Sequence, residues 1–229
     1  MNNEPPDLLN ILKRFSWFGD LPPGDLTLLL QCADKRWYPR GSIVFYQGDP
    51  GDYLLLVLKG RLQILVIEAD GSETILRELG EGEALGELSL LDDLNRSATA
   101  KAVERSQVLR IPRAPFIALL ERRPKMAIKI LVRVAADLRR ATEHIRTLTL
   151  PDLRGQVVRC LIQIALDRGM ALHEPIEIRP QPSRLDIAKR IGCRPESVSR
   201  AMKELCAAEF VRKEKGAVLV EARAIRRYW

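Results

Sequence analysis

Gly82-Glu83-Ala84-Leu85-Gly86-Glu87-Leu88-Ser89-Leu90, followed after four intervening residues by Asn95-Arg96-Ser97-Ala98, is the stretch on which the reading of this 229-residue chain turns. It has the composition of a cradle for a sugar phosphate. A phosphodiester carries one negative charge and two free oxygens, which suit a guanidinium together with backbone N–H groups. Arg96 supplies the guanidinium, and Gly86 permits close approach of the backbone. Leu88, Ser89, Leu90 and Leu91 can form one helical turn whose leading amides face the anion. Glu87 repels an anion and makes sense as the acceptor for a sugar hydroxyl. Ser97 adds a donor.

Outward from this cassette, short apolar runs recur at 42–46, 53–58, 62–67, 74–79 and 107–111, with glycines at 41, 48, 51, 60, 71, 80, 82 and 86 between them. Short strands separated by glycine turns predict a β-roll, barrel or sandwich. The spacing leaves no room for crossover helices, so the pairing is predicted to be antiparallel. Two short helices, Leu8 to Phe15 and Asp25 to Cys32, precede the strands.

After Pro124 the apolar period becomes helical. Ala127, Leu131, Val134, Leu138, Ala141, Ile145 and Leu148 alternate spacings of four and three, a heptad seam that predicts a parallel homodimer. Pro151 ends this helix and marks a domain boundary and candidate hinge. Asp152 is read as the N-cap of a helix to Asp167. After a short strand, Ile176–Ile178, Ser183 caps a helix through Ile191, with Asp186 completing a near capping box. Gly192-Cys193 makes a tight turn, and Pro195 opens a second helix to about Ala208. Phe210–Lys213 and Ala217–Val220 then read as a two-stranded wing. The predicted fold class is α+β: an antiparallel β-roll sensor domain over 1–123, a long dimerisation helix over 124–150, and a winged helix-turn-helix domain over 151–229.

The helix pair has the proportions of a DNA reader. Glu196, Ser199, Arg200 and Lys203 share one polar face, and Ala188, Ile191, Val198, Met202 and Leu205 form the buried set. Arginine suits guanine O6/N7, and glutamate suits the cytosine amino group. Lys189, Arg190, Arg194, Lys203, Arg212, Lys213 and Lys215 surround the helix as candidate phosphate contacts. Charge supports the assignment. Residues 151–229 hold 16 lysines and arginines against 10 acidic residues, whereas residues 1–150 hold 21 against 20. Of the net charge of +7, +6 therefore lies in the last third, as expected for a module that meets a polyanion.

These motifs together resemble the CRP/FNR family of transcription regulators, over about residues 8 to 221. The resemblance is carried by Tyr38-Pro39-Arg40-Gly41-Ser42-Ile43-Val44-Phe45-Tyr46-Gln47-Gly48-Asp49-Pro50-Gly51-Asp52, by Gly60, by the cassette, and by the downstream helices. It implies that Gly86, Glu87, Arg96 and Ser97 hold a ribose-phosphate, with Leu88 and Ser89 in the same cassette. It also implies that two adjacent residues of the long helix contact the base. The matching positions are Ala141 and Thr142, of which only Thr142 carries a hydroxyl. The ligand implied is cyclic AMP, with cyclic GMP the competitor and cyclic di-GMP or ligand independence as further alternatives. RNA polymerase is a partner implied by the family alone. The DNA set is Arg194, Glu196, Ser199, Arg200 and Lys203. The Glu196, Ser199, Arg200 combination resembles the FNR subgroup, although that subgroup's N-terminal cysteine cluster is absent here. Pro195 stands where guanine-rich readers of the family carry arginine.

Other classes fit less well. No Ser/His/Asp set, metal cluster or nucleotide-hydrolysing loop supports an enzyme. His144 reads as part of a charged, solvated helix face, and His173 as a loop residue. Cys32, Cys160, Cys193 and Cys206 lack a C-x-x-C pair and read as small buried apolar residues, so no metal is expected. A receptor that controls a protein partner would lack a reader helix and wing. The polar start Met1–Pro6 and the absence of a membrane-length apolar run predict a cytoplasmic protein with no membrane partner.

Overall fold

The computed structural model describes residues 8–68, 70–148, 152–171 and 174–229. The chain resolves into two compact units. One comprises the residues up to Leu65 together with Leu79–Asp137, and the other comprises Val66–Glu78 together with Leu138–Trp229. Met1–Pro6, the Pro151 hinge and His173 lie outside the described residues, as does the side chain of Leu148.

The first unit opens with helices α1 (Leu8–Leu12) and α2 (Pro23–Cys32). Its strands are β1 (Asp34–Tyr38), β2 (Ile43–Phe45), β3 (Tyr53–Lys59), β4 (Leu62–Ile67), β5 (Glu73–Leu79), β6 (Ala84–Leu85), β7 (Thr99–Ala102) and β8 (Ser106–Pro112), with α3 (Glu87–Asp92) after β6. They form two four-stranded sheets, β1-β8-β3-β6 and β2-β7-β4-β5. The registered pairs are antiparallel. The predicted fold class is thus observed.

Between the sheets lie Val44, Phe45, Leu55, Val57, Leu62, Leu79, Leu85, Ala100 and Val108. A second core contains Leu54, Leu56, Leu109 and Ile111, covered by Phe15, Phe18, Leu26, Phe116, Met126 and Ile130. The two cores explain the unbroken run Leu54-Leu55-Leu56-Val57. Alternate side chains of β3 point to opposite faces, and both faces are buried.

Helix α4 (Arg113–Arg122) leads to α5 (Pro124–Leu148). On α5, Met126 and Ile130 are buried in the sensor core, and Ala127 and Val134 pack partly against it. Leu131, Leu138 and Ile145 are 64%, 68% and 61% exposed, and Ile128 and Val132 are exposed beside them. The bare heptad row therefore runs Ile128, Leu131, Ala135, Leu138, Thr142, Ile145. Of the expected seam, Leu131, Leu138, Ala141 and Ile145 are exposed, whereas Ala127 and Val134 are partly covered within the chain.

The second unit contains α6 (Leu153–Asp167), β9 (Ile176–Ile178), α7 (Arg184–Ile191), α8 (Pro195–Ala207), β10 (Val211–Glu214), β11 (Ala217–Val220) and α9 (Ala222–Tyr228). Asp152 caps α6 through the Arg154 N–H, and Ser183 and Asp186 form a full capping box on α7. Gly192 ends α7 in the left-handed conformation, and Pro195 stands in the first turn of α8. The wing joins β9 in a three-stranded sheet, β10-β11-β9. One core built from Val157, Leu161, Ile162, Ile187, Ile191, Val198, Met202, Leu205 and Val218 holds helices and wing together. Cys160 is buried in it, and burial pushes its thiol up to about 12. Cys32 is exposed, contrary to the expectation of burial.

Candidate functional site

The cassette residues assemble at one end of β6. Gly86 takes the left-handed backbone, φ 89°, as it leads into α3. A Cβ at this position would stand 2.2 Å from Arg96 Nη1, so the glycine leaves the space that the guanidinium fills. Arg96 is 2% exposed. Its Nη1 donates to Gly86 O at 3.1 Å and its Nη2 to Tyr53 O at 2.6 Å. The guanidinium lies over the Phe45 ring at 4.5 Å and the Tyr53 ring at 4.6 Å. Its Nε is buried without a hydrogen-bond partner. Two of the five guanidinium N–H groups are thus used by carbonyls, leaving donors for an anion. Burial lowers the Arg96 pKa, and attraction from Tyr53, Asp52 and Glu87 offsets this only in part.

Glu87 begins α3 and is half-buried, within electrostatic reach of Arg96. Ser97 is exposed beside Arg96, and Leu88 is exposed on α3. Ser89 is buried; a Cβ on Gly51 would lie 2.0 Å from the Ser89 Cβ, so the two residues pack closely. Thr142 is exposed on α5, its hydroxyl donating to Leu138 O at 3.0 Å. The structure therefore brings Gly86 and Glu87 to Arg96, and packs Ser89 against Gly51. Phe45 and Tyr53, which flank the guanidinium, were not singled out from the sequence. The signal available was weak, since an aromatic residue on a strand reads simply as core. The residues present fit a cyclic nucleotide phosphate: a buried guanidinium retains unpaired donors, and a glycine stands where any side chain would collide with it.

The reader surface has the opposite character. Glu196, Arg200 and Lys203 are exposed on α8, and Arg194 is exposed at its N-cap position. Ser199 is half-buried, with Oγ donating to Pro195 O at 3.0 Å. Val198, Ala201, Met202 and Leu205 are buried behind them. Lys213 and Lys215 are exposed on the wing, and Arg212 is paired with Glu221.

Two expected phosphate contacts and one histidine need correction. Arg190 is buried and forms ion pairs with Asp167 and Glu78. Lys189 is held by Glu73 at 2.6 Å. His144 is half-buried rather than solvated; burial, then the Arg190 charge, lowers its pKa. In each case a residue distant in sequence covers a face that reads as polar and open.

The comparisons cover both domains that carry these residues. Residues 35–123 match the cyclic nucleotide-binding domain, and residues 155–228 match the Crp-like helix-turn-helix domain. The chain is 34% identical to the cyclic AMP receptor protein of Thermus thermophilus over 93% of its own length and 96% of that protein. The crystal structure of the Thermus thermophilus catabolite activator protein superposes with TM-score 0.52 at 33% identity, covering 92% of this chain and 96% of that one. The fold is shared with the c-di-GMP-responsive regulator CLP of Xanthomonas campestris, with TM-score 0.70 at 24% identity, covering 88% of this chain and all of that one. With a nucleotide-domain match, a reader-domain match and a relative spanning nearly the whole chain, the protein belongs to the CRP/FNR family of transcription regulators.

Proposed function

We propose that this regulator is a homodimer that binds cyclic AMP at the Arg96 cassette and an inverted-repeat operator through α8. The observation that carries the ligand reading is the buried Arg96, whose guanidinium keeps unused donors beside Gly86. In this reading Arg96 pairs with the cyclic phosphate, Gly86, Leu88 and Ser89 form the wall of the cradle, Glu87 accepts from the ribose hydroxyl, and Ser97 donates to the phosphate. Thr142 on α5 meets the base. The sensor spans 1–123, the dimerisation helix 124–150 and the reader 151–229. The exposed row Ile128, Leu131, Leu138 and Ile145 supports dimerisation through α5, because such a row buries best against a copy of itself.

A two-fold dimer presents two α8 helices to half-sites about 34–36 Å apart. Arg200 takes a guanine, Glu196 a cytosine amino group and Ser199 a neighbouring thymine, giving a half-site like TTGAT. Pro195 offers no donor for the additional guanine of TGTGA. Arg194 and Lys203 contact phosphates. RNA polymerase is the partner through which bound dimers act.

Calorimetry against cyclic AMP, cyclic GMP and cyclic di-GMP tests the ligand. Selection from random duplexes tests the operator. Tightest binding of cyclic AMP and a TTGAT palindrome are expected. Preference for another nucleotide reassigns the ligand, and a TGTGA consensus overturns the Pro195 argument.

A further inference from the structure

Four elements of the second unit meet around Arg190, in the last turn of α7. Its side chain is 4% exposed, with Nη1 3.1 Å from Asp167 Oδ2 on α6 and Nη2 3.2 Å from Glu78 Oε1 on β5. His144 of α5 is near enough to feel both Arg190 and Asp167. The preceding residue, Lys189, places Nζ 2.6 Å from Glu73 Oε2. Glu73 and Glu78 belong to the segment Val66–Glu78, which falls within the same compact unit as the helix-turn-helix although its strands run on from β4 and β5.

The sign of this arrangement matters. Two carboxylates from one hairpin occupy two consecutive cations on the first helix of a DNA reader. Phosphate contacts in such readers come from cations of this kind. A carboxylate that already holds Lys189 competes with a phosphate for it. Glu78 adds mechanical grip, because a buried carboxylate separated from its guanidinium is strongly unfavourable. Helix α7 packs directly on α8 through Ile187, Ala188, Ile191, Val198 and Met202. A hairpin fastened to α7 thereby restrains the reading helix.

We propose that the hairpin Val66–Glu78 is an acidic latch on the helix-turn-helix that opposes DNA binding. This rests on the reading above of a nucleotide-controlled DNA binder. The latch is a two-state element: Glu73 and Glu78 favour one arrangement of α7, and DNA favours one in which Lys189 is free. Nucleotide in the β-roll, from which both hairpin strands emerge, shifts the balance by favouring release.

Fluorescence anisotropy of the full-length protein on a labelled random-sequence duplex and on the selected operator tests the latch, with and without cyclic AMP. Without nucleotide, Glu73→Gln/Glu78→Gln should bind DNA about fivefold or more tightly than the parent, and the gain from nucleotide should shrink. Glu68→Gln, an exposed change on the same hairpin, is the control for net charge and should leave affinity unchanged. Circular dichroism and urea unfolding check the fold. If the double variant does not fold, Glu73→Gln alone decides, with a smaller gain in the same direction. Unchanged or weaker DNA binding by the folded variant overturns the latch, as does an equal gain from Glu68→Gln. If the parent binds DNA equally with and without nucleotide, nucleotide control fails, while a gain in the variant still supports the latch. No DNA binding by any form overturns both.

Discussion

Two buried guanidinium groups, one in each compact unit, are held in opposite ways. Arg96 sits among two carbonyls and two aromatic rings, and burial lowers its pKa against the weaker attraction of Tyr53, Asp52 and Glu87. Arg190 is also penalised by burial, but Cys160, Asp167 and Glu78 more than offset this and raise its pKa. Arg190 has buried carboxylates within ion-pair distance, whereas the groups that directly contact the Arg96 guanidinium are neutral carbonyls and rings, a setting that suits an anion supplied from outside. If Arg96 holds the nucleotide as proposed, the same residue type serves structure in one unit and recognition in the other, and the difference lies in the neighbours.

The largest expected effect breaks the Arg190 ion pairs. Arg190→Met leaves Asp167 and Glu78 buried without their cation and should cost about 3–5 kcal/mol of stability, read by urea unfolding. A loss below about 1 kcal/mol would show that the pairs are solvated and that the contrast with Arg96 is false. Arg96→Ala should instead be read in ligand affinity, with a loss of about 2–5 kcal/mol for cyclic AMP by calorimetry. Unchanged affinity in a folded variant would remove the proposed site.

An exposed arginine sharpens the comparison from a third side. Arg200→Ala should cost about 1–3 kcal/mol of operator affinity and relax the preference at one guanine, with little change in unfolding. Lys203→Ala, by contrast, should weaken all duplexes alike and reduce the salt dependence. The smallest effect tests how closely Arg96 is fitted. Gly86→Ala places a side chain in the left-handed region and against Nη1, which should cost about 1–2 kcal/mol in the fold and weaken nucleotide binding as Arg96 shifts. Full nucleotide affinity in this variant would mean that the guanidinium is free to move without penalty.

Much of this was legible in the residues themselves. The cassette, the capping box at Ser183, the proline opening α8 and the wing all depend on contacts within a few residues, and such local chemistry is written in order along the chain. Other features depend on neighbours far away in sequence. Strand β1 is mostly exposed at a sheet edge, so Asp34–Tyr38 carries no apolar alternation to mark it. Helix α4 has Pro115 in its first turn and follows directly from a strand, which hid its start. On α5 the heptad spacing does not show that Ala127 and Val134 pack partly against the sensor core beside the buried Met126 and Ile130. Arg190 and Lys189 read as phosphate contacts because Glu73 and Glu78 lie more than a hundred residues earlier and Asp167 sits on a different helix.

Strand β3 has a consequence in time as well as in space. Leu54 to Val57 are covered on both faces and lie in an interior strand between β8 and β6. Their amide hydrogens can meet solvent only when most of the unit opens, so they should be among the last to exchange with deuterium. Glu68, Asp70, Gly71 and Ser72 are exposed between β4 and β5, lack such cover and should exchange early. Tyr53, whose carbonyl receives Arg96, begins the slow strand. The arginine is therefore moored to a part of the chain that hardly opens during many cycles of ligand arrival and departure.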